Sequence, residues 1–264
     1  MQEFDKVTLE TIDNIGIMRF NDPNAMNAVS NEMLDGLWSC LNAIEDPKSN
    51  IKCLVITGEG RGFCAGANLS GGSDKTNTGR QDAGHRLETG YHPILRRIKN
   101  LKIPMITSVN GPAAGVGMSL ALMGDIILAG KSAFFLQAFR RIGLVPDGGS
   151  TWLLPRLIGM ARAKELAILG ERLSAEKAFE WGLVNRLCED ESLQSETLKL
   201  AKELAHGPMS LGLIRQAFWD SFDNSYEEQI NLERELQFIA GQSDDFKEGV
   251  GAFLEKRDAK FTGK

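Results

Sequence analysis

Two stretches of small residues offer main-chain amides, rather than side chains, as a source of chemistry. Phe63 to Leu69 reads FCAGANL, and Asn110 to Leu122 reads NGPAAGVGMSLAL. Each follows a short apolar run, CLVIT at Cys53 to Thr57 and MITSV at Met105 to Val109, and the second leads into an apolar helix-like run. Small residues let another group approach the backbone closely. A helix N-terminus leaves amide N–H groups without partners, and these favour negative charge. Two such places facing each other would make an oxyanion hole for a carbonyl that becomes an enolate. FCAGANL alone reads equally well as a tight strand-to-loop turn; the pairing with NGPAAGVG points to chemistry.

The other chemistry-bearing residues carry plainer readings. Asp147, in GLVPDGGST, fits a P-D-G turn or an N-cap for the helix that begins near Gly148. Asp125, at the head of DIILAG, reads as a structural, hydrogen-bonded aspartate. The Gly115-Val116-Gly117 triplet lacks the third glycine and the distal acid of a dinucleotide fingerprint. His85, His92 and His206 have no metal-ligand spacing. Ser119 and Ser150 have no G-x-S-x-G elbow around them. Arg140 and Arg141 read as a solvated face or a subunit contact.

These residues sit in a chain of 264 residues with 42% hydrophobic and 25% charged composition, ordinary for a globular protein. A net charge of −5 gives no sign of nucleic-acid binding. No apolar run approaches the roughly 20 residues of a membrane span, and no signal peptide is visible in MQEFDKVTLE. Cys40, Cys53, Cys64 and Cys188 show no disulfide spacing and read as reduced, buried thiols of a cytoplasmic protein.

VTLETI and GIMRF alternate around Asp13-Asn14 and predict a β-hairpin. Ser30 predicts an N-cap for a helix with apolar positions at Met33, Leu34, Leu37, Trp38 and Leu41. IKCLVITG predicts a strand buried on both faces. The polar stretch 71–84 predicts a mobile loop that could act as a lid. Helix is expected again near Tyr91 to Asn100, then a βαβ-like unit from MITSV to DIILAG, a short strand at SAFFLQ, and mostly helix after Gly148. Strands early and helices late predict an α/β core with a helical C-terminal part.

Taken together, NDPNAMNAVS, GFCAGANL, IPMITSVNGPAAGVGMSLALMGDIILAG, GLVPDGGSTWLLPRLIG, ERLSAEKAFEWGLVNRL and FLEKRDAKF resemble the crotonase, or enoyl-CoA hydratase/isomerase, superfamily over nearly the whole chain. The resemblance implies an α/β spiral of ββα units, here over 1–200, with a helical C-terminal trimerisation region over 201–264. It implies a homotrimer or dimer of trimers and acyl-CoA thioester substrates, with CoA entering as part of the substrate and no separate cofactor, metal, nucleic acid or membrane. Matched by position, the oxyanion amides are those of Ala67 and Val116, the latter replacing the usual glycine beside Gly115. CoA and acyl contacts fall on Ala25, Met26, Ala28, Ala65, Asn68, Leu69, Gly115, Phe139, Phe261 and Lys264.

The departures from that pattern carry the functional expectation. Hydratases of the family hold two glutamates where this chain has Ser119 and Phe139. Neither replacement can place and deprotonate water in the usual way, which argues against ordinary hydration. Asp147 remains, and GLVPDGGSTWLLPRLIG resembles the ring-epoxide isomerases of phenylacetate catabolism. One carboxylate in an apolar pocket, with Phe139, Leu144 and Trp152 as lining, would have its pKa raised and could move a proton between carbons. The expected function is therefore acyl-CoA isomerisation of a double bond or ring epoxide. The alternatives are a hydratase-like lyase, thioester hydrolysis, dehalogenation, or a non-catalytic acyl-CoA-binding protein.

Overall fold

A computed structural model describes residues 1–69, 79 and 82–264. The stretch expected as a lid lies mostly outside the described residues. A seven-stranded sheet is the frame, in the order β1-β2-β3-β4-β5-β7-β10. It comprises β1 (Gln2–Phe4), β2 (Val7–Ile12), β3 (Ile15–Phe20), β4 (Cys53–Gly58), β5 (Met105–Val109), β7 (Ile126–Gly130) and β10 (Arg186–Cys188). The predicted hairpin is β2 and β3, with Ile12 opposite Ile15. Asp13 and Asn14 both take positive φ, 49° and 65°, as a two-residue turn matched to strand twist requires. From β3 onward each pairing in the sheet is parallel. Such strands need cover on both faces.

The alternation of β3 and β4 divides that cover between two layers. Met18, Phe20, Leu54 and Ile56 face Met33, Leu37 and Leu41 of α1 (Asn31–Glu45). Ile15, Ile17, Cys53 and Val55 face Leu193, Leu200, Ala201 and Ala205 of α7 (Leu193–Ala205). The Ser30 hydroxyl accepts from the Met33 amide and caps α1 as expected, but Trp38 departs from the apolar face: it is exposed, with the Arg97 guanidinium 4.4 Å from its ring. All four cysteines are free and buried. Burial pushes Cys40, Cys53 and Cys64 up to about 12, which keeps them unreactive thiols.

A second, three-stranded sheet was not foreseen: β6 (Ala113–Ala114), β8 (Phe134–Leu136) and β9 (Arg172–Ser174). It continues the turn that follows β5 and so fixes the start of α3 (Val116–Ala121). The remaining helices follow the expected order: α2 (His92–Asn100), α4 (Ser150–Ile158), α5 (Met160–Leu169), α6 (Ala175–Glu180), α8 (Ser210–Asp220), α9 (Tyr226–Gly241) and α10 (Asp244–Glu255). A π-helical turn, Leu87–Tyr91, precedes α2.

Buried Arg215 pins α8 to the core. Its guanidinium donates to Asp125 Oδ2 at 2.9 Å, to the Ile98 carbonyl at 3.0 Å, to that of Leu101 at 3.1 Å, and to that of Lys99. Asp125 also accepts from the Met105 amide at 2.7 Å, so its structural reading holds. Arg140 and Arg141 are exposed, as a solvated face requires, and they also donate to the carbonyls of Leu169 and Gly170, tying down the end of α5. No helix among the described residues is long and apolar enough to cross a membrane.

Candidate active site

β4 and β5 are parallel neighbours, so the loops at their C-terminal ends emerge side by side. They are laced together by the Cys64 amide donating to the Pro112 carbonyl at 3.0 Å and the Ala114 amide to the Cys64 carbonyl at 2.9 Å. Glycine is needed where the chains cross, since a Cβ on Gly117 would lie 2.1 Å from the Cys64 carbonyl oxygen. Gly66 and Gly115 abut, and a Cβ on Gly66 would lie 2.9 Å from the Ala114 carbonyl oxygen. The residues after these glycines are Ala67 and Val116, the two expected oxyanion donors.

Backbone pairing sets the direction of the first amide. The Val29 amide donates to Gly66 at 2.7 Å and the Asn68 amide to Val29 at 2.9 Å. In such a parallel bridge the N–H of the intervening Ala67 points away from Val29. The second amide opens α3, where the first N–H has no intrahelical acceptor. Val116 does not take positive φ; Gly115 does, at +53°. The strained conformation is therefore absorbed by Gly115, and a branched side chain is acceptable at the donor itself.

Asp147 reaches this place through a turn fixed on α3. The Asp147 carbonyl accepts from Ser119 Oγ at 3.0 Å, Ser150 Oγ at 2.9 Å and the Ser150 amide at 3.1 Å. A Cβ on Gly148 would meet Ser119 Cβ at 2.8 Å and Val116 Cγ2 at 3.4 Å. The P-D-G turn reading is thus correct, while the N-cap reading is not: Gly149 caps α4, and no side-chain cap is formed. The Asp147 side chain is left for other work. Its Oδ1 is buried with no hydrogen-bond partner among the described residues, and burial pushes its pKa from 3.8 to about 6.

Ser119 and Phe139 are both at this site. Ser119 is fully buried, and its hydroxyl is occupied with the Asp147 main chain. Phe139 is buried, and its Cζ would lie 3.8 Å from a Cβ on Gly115. The other expected lining residues are not placed there. Trp152 stacks on Trp219 at 5.9 Å, under Arg156 and edge-on to Phe222, toward α8. Leu144 is exposed. An apolar cavity of about 340 Å³ between α4 and α8 offers no competing site, because its acid, Asp125, is engaged with Arg215.

The residues expected along CoA separate into two groups. Ala25, Met26 and Ala28 lie beside Ala65, Asn68 and Leu69, held by the Ala65 amide donating to the Met26 carbonyl at 3.0 Å. Arg61 Nε donates to Met26 Sδ at 3.0 Å. Fully buried Asn27, which sequence reading missed, ties this strip down. Its Nδ2 donates to the carbonyls of Glu59 at 3.0 Å and Gly62 at 2.8 Å, and its Oδ1 accepts from the Asp22 amide at 2.8 Å. Its signal was an asparagine where φ is +56°. Phe261 and Lys264 are elsewhere: the ring would lie 3.4 Å from a Cβ on Gly249, and the Lys264 carbonyl accepts from the Asp245 amide at 3.0 Å. Lys52, just before β4, donates to Thr262. The tail thus lies at the N-terminal end of β4, and one chain does not bring it to the amide loops. Among the described residues, no group of three or more His, Cys, Asp or Glu is placed to hold a metal.

Residues 10–264 match the family model described as enoyl-CoA hydratase/isomerase. The 1,2-epoxyphenylacetyl-CoA isomerase of Escherichia coli (strain K12) is 46% identical over 248 residues, covering 94% of each chain. A probable enoyl-CoA hydratase of Rhodobacter capsulatus is 38% identical over 263 residues, covering 98% of each. A crystal structure of an enoyl-CoA hydratase/isomerase from Cupriavidus metallidurans CH34 superposes with a TM-score of 0.92 at 33% identity, over 100% of this chain and 98% of that one.

Proposed function

This chain belongs to the enoyl-CoA hydratase/isomerase family, and on that premise we propose that it is an acyl-CoA isomerase with Asp147 as its single acid/base. The thioester oxygen is held by the amides of Ala67 and Val116, which are aimed at the charge that develops on it. Asp147 Oδ1 takes a proton from C2 of the acyl group, giving the enolate, and returns it to a carbon further along the conjugated system. For a 3-enoyl thioester the return is to C4, and the product is the 2-enoyl isomer. For a ring-epoxide thioester, the substrate type named for the Escherichia coli relative, the same group assists ring expansion.

The observation that carries this reading is the buried Asp147 oxygen without a donor, beside a serine and a phenylalanine where water-handling acids would be needed. A carboxylate with a pKa near 6 is ionised at neutral pH yet basic enough to return a proton. Hydration needs a second polar group to orient water, and Ser119 has its hydroxyl committed to the main chain. The reading extends to a cytoplasmic enzyme that self-associates as a trimer through the exposed apolar side chains of its last helices, among them Phe218, Phe238 and Phe253.

The test is a panel of 2-enoyl, 3-enoyl and aryl-epoxide thioesters in heavy water, with wild type and Asp147→Asn. Isomerisation with deuterium entering the chain, lost in the variant, is expected. A water adduct that survives the substitution would overturn the proposal in favour of a hydratase, and CoA binding without turnover would overturn it in favour of a binding protein.

A further inference from the structure

Among the described residues, three buried side-chain oxygens have no hydrogen-bond partner: Asp147 Oδ1, Gln137 Oε1 and the hydroxyl of Tyr91, of which only the last can donate. Tyr91 is 5% exposed and ends the π-helical turn Leu87–Tyr91. Such turns interrupt an otherwise regular helix and are frequent at functional sites. This one is fastened to the first turns of α1: Arg86 donates to Asn31 Oδ1, and a Cβ on Gly90 would lie 2.9 Å from Leu34 Cδ1. α1 begins two residues after Val29, whose bonds to Gly66 and Asn68 orient the Ala67 amide. Tyr91 packs in the same apolar cluster as Phe63, Cys64 and Val116.

Electrostatics agrees with that placement. Burial, opposed by the Arg86 charge and helped to a smaller degree by Asp147, pushes the Tyr91 phenol up to about 12. The hydroxyl thus stays protonated within the cluster that also holds Phe63, Cys64 and Val116. A protonated phenol can donate, whereas an ionised carboxylate can only accept. The two oxygens nevertheless make no bond to each other. A buried donor left unpaired is costly, so the arrangement calls for an acceptor brought in by a ligand. An unsubstituted alkenyl chain carries none.

Resting on the acyl-CoA reading above, we propose that the Tyr91 hydroxyl donates a hydrogen bond to an oxygen on the acyl group, and so selects oxygen-bearing acyl thioesters, such as ring epoxides, over plain hydrocarbon ones. Asp147 then serves the C–H bond and Tyr91 the oxygen. The same carbon skeleton with and without an oxygen is the discriminating pair.

Calorimetry with two unreactive ligands, phenylacetyl-CoA and 2-hydroxyphenylacetyl-CoA, tests this on the full chain. Wild type should bind the hydroxylated thioester about 5–10-fold more tightly, the ordinary worth of one such hydrogen bond. Tyr91→Phe should bring that ratio to about 1. A ratio unchanged by the substitution, including a parallel loss for both ligands, overturns the proposal, as does a wild type with no preference. The melting temperature of Tyr91→Phe should not fall, because no bond to a described residue is removed; a fall would reveal a structural tyrosine and overturn it too. Asp147→Asn, measured alongside, should keep the preference while losing isomerisation, so failure of the aspartate chemistry and failure of the tyrosine assignment read out separately.

Discussion

Ionising Asp147 costs the fold something, because Oδ1 has no donor to offset its desolvation. Its pKa is raised from 3.8 to about 6. Between those values the folded state keeps a proton that the unfolded chain has lost, so this group's contribution to stability falls as pH rises through the window. Asp147→Asn removes the penalty. At pH 8 it should be more stable by about 1–2 kcal/mol after discounting for partial exposure, measured by denaturant melts at pH 4 and pH 8, with little difference at the lower pH. Activity should move the opposite way. Wild-type kcat/KM should climb with pH along a limb centred near 6, and the variant should lose about 100- to 10,000-fold. A more stable but active Asp147→Asn would remove this residue from the chemistry.

Ser119 belongs to the same argument. Its hydroxyl is one of three donors to the Asp147 carbonyl, so Ser119→Ala loosens the turn without removing it. The expected result is a stability loss of about 1 kcal/mol, with kcat lowered several-fold and KM nearly constant. Equal loss in both kinetic constants would instead mean that Ser119 supports binding.

At the scale of elements, the proposed oxyanion hole depends on glycines that are not themselves the donors. Val116 contributes through its backbone, so Val116→Ala should keep most activity. Gly115 holds the positive φ, and although a Cβ there meets nothing closer than 3.8 Å, Gly115→Ala strains the turn by about 1–2 kcal/mol. That strain would swing the Val116 amide off the oxyanion, and losing such a donor costs about 100- to 1,000-fold in kcat. Steady-state kinetics of the two variants should therefore rank opposite to the size of the change at the donor position. The loops, Ser30 cap, hairpin and late helices were legible in the sequence because periodicity and turn residues speak for elements of ordinary length. β6 and β9, of two or three residues each, are too short to show a period, and neither their pairing with the expected strand at β8 nor the π turn has a propensity signature. The inward-facing residues were readable at Phe139 but not at Trp152, since an aromatic on a helix declares burial without declaring its neighbour. The tail's position at the far end of β4 was invisible for the same reason: one segment's motif says nothing of which surface receives it.

Across the whole molecule, a buried guanidinium, that of Arg215, is central to the join between the sheet and the last helices. Burial holds the Asp125 carboxyl above its usual range even with Arg215 pulling it down, so the pair survives only while both partners are present. Arg215→Ala would strand Asp125 and leave the carbonyls of Ile98, Lys99 and Leu101 without their donor. Breaking one side of a buried pair costs about 3–5 kcal/mol, and the loss should appear as a lowered melting temperature and faster amide exchange in α8. Asp125→Asn in the same background relieves the stranded charge, so the double variant should be more stable than Arg215→Ala alone. Additive losses in that cycle would mean that Arg215 acts through its carbonyl contacts and stacking near Trp219 rather than through Asp125. Catalysis at pH 8 in the intact fraction should stay near wild type, since the clamp reaches the Asp147 turn through none of the bonds that position it.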